Sequence, residues 1–212
     1  LMDFKKKYIS PVGTALPYCY LQKPDFGNDT IGIKERGEYK VELSIPKDDK
    51  RCQRMVDLLS KAYEENYENH KANSTKRVKK ADIENTYYDD DNGNIVFKFK
   101  CYGSFKDKNG NIVEITPMIV DSKGRPMKDR PAISGGSKLK VQFSIRPYNS
   151  PTVGAGLKLQ LESMMLVELV EYQAGAGEWG EEAVDGGFTA DDSDSDFGTD
   201  DFEGNDEDFG DF

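Results

Sequence analysis

Residues 39–45, YKVELSI, alternate strictly, with Tyr39, Val41, Leu43 and Ile45 on one side and polar residues on the other. Period two is the signature of a strand with one covered face. Pro46 ends this strand, and Asp48 or Asp49 can cap a following helix. The spacing of Met55, Val56, Leu58, Leu59, Ala62 and Tyr63 predicts that helix over residues 50–67 as one apolar stripe facing a core. Residues 68–86 lose all periodicity and read as a mobile basic loop. Alternation returns in IVFKFKCYGSF, residues 95–105, where Phe97, Phe99, Cys101 and Phe105 face one way and Lys98, Lys100 and Tyr102 the other. KDKNGN makes a turn, and NIVEITPMIV supplies the hairpin partner. In KLKVQFSIRPY, residues 138–148, Leu139, Val141, Phe143 and Ile145 oppose Lys138, Lys140 and Arg146, and Tyr148 follows a proline. Residues 157–172 suit one bent strand or two, and a short strand is expected at 17–21 before the turn KPDFGN. Five or six strands, one helix and no βαβ rhythm predict a mainly β chain. Its antiparallel sheet would close into a small barrel capped by the helix, with a sandwich left open.

Charge divides the chain more sharply than hydropathy does. All 29 Lys and Arg fall in residues 1–177 with 24 acids, leaving +5 there, whereas residues 178–212 carry 15 acids and no base. The net −10 therefore conceals a mildly basic body and a strongly acidic tail, and the body is free to bind a polyanion. AGAG at 174–177 marks the boundary, so residues 1–177 are expected as the folded domain and 178–212 as a disordered tail.

Catalytic chemistry finds little support. His70 is the only histidine, no nucleotide-binding or hydrolase motif is present, and Asp89, Asp90 and Asp91 before Asn92-Gly93 lack the downstream glutamate of a calcium loop. Cys19, Cys52 and Cys101 are odd in number and widely spaced, which suits a reducing compartment and neither a disulfide framework nor a zinc site. No enzyme, cofactor or metal is expected. No apolar run approaches the roughly 20 residues of a membrane span, and the first residues lack the apolar stretch of a secretory signal.

The polar faces of the strands say more. Lys98, Lys100 and Tyr102 project from one side of one strand, and Lys138, Lys140 and Arg146 repeat the pattern with Tyr148 beyond them. Cations interleaved with rings suit single-stranded nucleic acid, in which phosphates meet the cations and unpaired bases stack on the rings. The tail ends DDSDSDFGTDDFEGNDEDFGDF, placing Phe197, Phe202, Phe209 and Phe212 among carboxylates. Solubility alone has no use for those rings. A flexible chain of negative charge and flat apolar rings imitates single-stranded DNA, and as a coil its 35 residues span roughly 30–35 Å, enough to compete for a groove.

The stretches GTALPYCYLQKPDFGN, RGEYKVELSIPKDDKRCQRMVD, FKFKCYGSFKDK, VDSKG, GGSKLKVQFSIRPY and VGAGLKLQLESMMLVEL, with the terminal GDF, resemble the single-stranded DNA-binding protein of short-tailed T-odd lytic bacteriophages, the gene 2.5 protein family. The resemblance implies an OB-fold barrel with a capping helix, sequence-independent binding of single-stranded DNA in replication, recombination and repair, and annealing of complementary strands. It implies base stacking by Tyr102 and Tyr148, a basic groove with Arg36, Lys98 and Lys100, and a basic arm at Lys5 or Lys6. It also implies a tail that contacts the phage DNA polymerase and primase-helicase through Asp206, Glu207, Asp208, Phe209, Asp211 and the terminal Phe212, a homodimer, and work in the cytoplasm of an infected bacterial host. An acidic-tailed chaperone or adaptor for basic proteins is the alternative.

Overall fold

A computed structural model describes residues 5–27 and 35–171. In chain order the strands are β1 (Lys7–Ile9), β2 (Gly13–Ala15), β3 (Tyr20–Asp25) and β4 (Glu38–Pro46), then the helix α1 (Lys50–Ala72). After it come β5 (Tyr87–Asp89), β6 (Asn94–Tyr102), β7 (Ser104–Lys106), β8 (Ile112–Glu114), β9 (Met118–Val120), β10 (Lys138–Ser150) and β11 (Gly154–Glu168).

Five of these strands close a circuit. β10 pairs with β2, β2 with β4, β4 with β6, β6 with β11, and β11 with β10. The closing β6–β11 pair is parallel and short, joining Leu159 to Phe99 and Gln160 to Lys100. The other links of the circuit are antiparallel. This is a mainly β, OB-type barrel with one α-helix among the described residues. Closure pairs these five strands with one another, and the free edges of the sheet pass to outlying strands such as β1 and β9.

The alternating patterns point inward as their periodicity requires. Val41, Leu43, Ile45, Phe97, Phe99, Leu139, Val141, Phe143, Ile145, Leu157, Leu159 and Leu161 are all fully buried. Each such side chain contributes about 1.5–3 kcal/mol, and Phe99 and Phe143 meet across the barrel at 5.2 Å between ring centroids. α1 starts where the sequence places a cap, the Asp49 carboxylate accepting from the Arg51 N–H at 2.7 Å. It covers the barrel with Cys52, Met55, Leu59, Ala62 and Tyr63. Its buried Asn66 donates from Nδ2 to the Tyr148 and Gly156 carbonyls at 3.1 and 2.9 Å. One polar side chain thereby ties the helix to the end of the β10–β11 ladder.

Several expectations are corrected. The helix runs on to Ala72, past the predicted end at 67, because Tyr63, Asn66 and Tyr67 keep one side against the body while His70 and Lys71 suit the negative end of the helix dipole. The rest of the expected basic loop is held in place: Lys80 bridges to Ala155, and the Tyr63 hydroxyl donates to the Ala81 carbonyl. The strand expected at 17–21 begins only at Tyr20, since Tyr18 adopts φ 65° and turns the chain. Pro24 is in that strand rather than in the predicted turn, as an outlying strand paired only with β4 allows. Gly103 breaks the run 95–105, so Phe105 sits in the small β7–β8 hairpin, exposed and not in the core. Residues 118–120 leave the expected hairpin partner and pair in parallel with β11. β11 is one strand, irregular where its pairing with β10 shifts between Gln142 and Phe143. The strands outnumber the expected five or six because many are three-residue pieces.

Candidate nucleic-acid interface

The outer face of the barrel follows from the registers. Glu38, Lys40 and Glu42 on β4 stand opposite Tyr102, Lys100 and Lys98 on β6. Lys100 neighbours Gln160 on β11. Across the next ladder Lys158 stands opposite Arg146, Gln160 opposite Ser144, and Gly156 opposite Tyr148. Lys7 on β1 then pairs with Ser144. Residues paired in this way share a sheet face, so these polar positions of β4, β6, β11, β10 and β1 lie on one side of the sheet, where Ser144 and Gly156 are themselves covered.

Its cations outnumber its carboxylates and are only partly paired. Lys40 bonds Asp25 at 2.8 Å and lies 5.0 Å from the Tyr20 ring centroid. Lys98 lies 5.0 Å from the Tyr88 centroid, with Tyr88 donating to Glu42 at 3.2 Å. The half-buried Glu162 receives the exposed Lys7 at 3.8 Å and Arg146 at 3.7 Å, both long contacts. A groove of about 310 Å³ opens between Lys40, Lys98, Lys100, Glu38, Pro17 and Tyr18.

Tyr102 is the focus. Its ring is exposed, with the Arg36 guanidinium 3.9 Å and the Lys158 ammonium 4.6 Å from its centroid. Arg36 is anchored there by its Nε donating to the Ser104 carbonyl at 2.8 Å. The approach needs glycine twice. Gly37 has φ 63°, and a Cβ on Gly103 would stand 3.0 Å from the Arg36 carbonyl oxygen. Burial, then the charge of Lys100, lowers the Lys158 pKa below the usual lysine value. A cation already short of water gains most from an arriving anion.

Similar proteins give this surface a context. The model of the family described as "Single-stranded DNA-binding protein, Bacteriophage T7" matches residues 12–169. The chain belongs to that family. It is 46% identical over 199 residues to the single-stranded DNA-binding protein of Escherichia phage T7, covering 88% of this chain and 86% of the relative. Against the protein of the same description from Enterobacteria phage T3 it is 47% identical over 208 residues, covering 91% and 90%. The crystal structure of gp2.5, a single-stranded DNA-binding protein encoded by bacteriophage T7, superposes with a TM-score of 0.70 at 45% identity, over 87% of this chain and 98% of that one.

Within this member of the T7 family the expected residues divide. Arg36, Lys98, Lys100 and Tyr102 come together, and Lys40 and Lys158 join them. Tyr148 is on the same face but toward its other end. It pairs with Gly156, four residues before the Gln160 that neighbours Lys100, whereas Tyr102 lies two residues beyond Lys100. Its ring is half-buried, and burial raises its pKa. A Cβ on Gly156 would come within 2.6 Å of the Tyr148 hydroxyl oxygen, so glycine there leaves the ring its place. Lys138 and Lys140 are not part of this cluster. On β10 they stand opposite Glu168 and Met165, eight and five residues beyond the Gln160 that neighbours Lys100. Lys138 is bound to Glu168 at 3.1 Å, and Lys140 faces Met165. Lys5 and Lys6 are exposed ahead of β1, with Lys6 5.3 Å from the Tyr8 centroid. Asp206, Glu207, Asp208, Phe209, Asp211 and Phe212 lie outside the described residues.

Lys158 and Lys40 are absent from the residues expected on sequence grounds. Alternation carries the signal for both, Lys158 lying between the inward Leu157 and Leu159, and Lys40 between Tyr39 and Val41.

Proposed function

We propose that this chain binds single-stranded DNA without sequence preference on the face spanning β4, β6, β11 and β10, as a binding protein and not as an enzyme. The observation that carries the reading is the exposed Tyr102 ring flanked by Arg36 and Lys158, with Lys100 beside them. Bases stack on the ring while the cations take the phosphates, a combination that tolerates any sequence. Tyr148 offers a second ring toward the other end of the face, and Lys5 and Lys6 extend its charge.

The same reading covers phage DNA replication, recombination and repair, annealing of complementary strands, and a homodimer in the cytoplasm of the infected bacterium. Residues 178–212 form the second functional region, an acidic Phe-bearing tail that competes with DNA and recruits the phage polymerase and primase-helicase. Its 15 carboxylates and five phenylalanines carry the chemistry the DNA face selects.

Fluorescence anisotropy with a labelled oligo-dT tests both parts. Tyr102→Ala weakens binding by about 1–3 kcal/mol with an unchanged melting temperature, and removal of residues 178–212 tightens it. Full affinity in the Tyr102→Ala protein would refute the stacking role, and unchanged or weaker binding without the tail would refute competition.

A further inference from the structure

Tyr18 poses a problem that the DNA face as described does not solve. It is a bulky aromatic residue at φ 65°, a left-handed conformation that glycine or asparagine enters far more readily. The residue is 87% exposed. Among the described residues it makes no ring contact and its hydroxyl no hydrogen bond. Both features are unfavourable, and among the described residues no contact of the side chain offsets them.

The turn is nevertheless held firmly. The Leu16 N–H donates to the Glu42 carbonyl at 2.9 Å, and the Ala15 N–H to the Ser137 carbonyl at 2.8 Å. Beyond the turn, the Cys19 thiol donates to the Ile133 carbonyl at 3.2 Å and the Gln22 amide to the Arg130 carbonyl at 3.1 Å. Gly135 packs so closely that a Cβ on it would stand 2.9 Å from the Pro17 nitrogen. An over-determined backbone that displays a strained aromatic residue is the arrangement in which strain serves a ligand.

Tyr18 also stands where two hollows meet. One is the 310 Å³ groove with Lys40, Lys98 and Lys100. The other, about 700 Å³, lies between residues 17–23 and 132–135. We propose that Tyr18 is a further base-stacking platform: a DNA strand leaving the Lys98–Lys100 groove across β4 stacks an unpaired base on this ring and seats it in the larger hollow, while Lys40 meets the adjoining phosphate. The inference rests on reading this face as a single-stranded DNA site, and it extends the path to a margin that carries none of the residues expected from the sequence. Tyr20, partly exposed and beside Lys40, lines the same hollow.

Two substitutions separate ring from backbone. Tyr18→Asn accepts the left-handed turn and lacks the ring; Tyr18→Phe keeps the ring. Each is titrated as the full chain with oligo-dT of increasing length, alongside wild type and Tyr102→Ala. Tyr18→Asn should lose roughly 5- to 150-fold on long oligonucleotides and nothing on the shortest ones that still bind, with a melting temperature no lower than wild type. Tyr18→Phe should stay within about twofold of wild type, as stacking requires. Wild-type affinity in Tyr18→Asn at every length, with Tyr102→Ala weakened, would overturn this subsite and leave the main face standing. No binding by wild type itself would overturn both.

Discussion

At the scale of single residues, the site turns on charges placed where water is scarce. Lys158 emerges between inward leucines and reaches the Tyr102 ring, and both burial and Lys100 hold its pKa down. DNA phosphate would raise that pKa, since an opposite charge favours the ammonium. The sign follows. Affinity is complete while free Lys158 is protonated, and it falls as pH rises through the lowered pKa of the free protein toward the higher one of the complex. Oligo-dT titrations from neutral to alkaline pH should show this loss in wild type and a flatter profile in Lys158→Gln. Identical profiles would remove Lys158 from the site.

At the scale of elements, α1 and the β10–β11 ladder are joined by Asn66, whose amide serves the Tyr148 and Gly156 carbonyls. Asn66→Ala leaves those carbonyls without their donor. It should cost about 1–3 kcal/mol in denaturant unfolding and weaken DNA binding more than its distance from Tyr102 suggests, because Tyr148 loses its support. The strands that line the core are readable in the sequence because β4, β10 and β6 from Phe97 onward alternate, and period two leaves no choice of face. Tyr102, Lys98 and Lys100 are legible for the same reason. Features set by long-range packing are not. The last turn of α1 depends on Asn66 meeting carbonyls about 80 and 90 residues away in sequence. The parallel closure of β6 on β11, and the register that sets Lys140 opposite Met165 rather than Gln160, depend on a topology that alternation does not encode. Arg36 comes from the family resemblance, and its contact with Tyr102 rests on Gly37 and Gly103, whose spacing carries no periodic signal.

At the scale of the whole molecule, a basic body and an acidic, ring-bearing tail act in the proposed function through one cationic surface. If that surface binds DNA by neutralising phosphate, its affinity must fall with salt by an amount set by the number of cations engaged. The most direct test is the salt dependence of oligo-dT binding in wild type and in a Lys100→Gln, Lys158→Gln double variant that melts like wild type. The slope of log K against log salt should become shallower by roughly 0.7 for each phosphate no longer neutralised, about 1.4 in all. An unchanged slope with unchanged affinity would mean that DNA binds elsewhere on the protein.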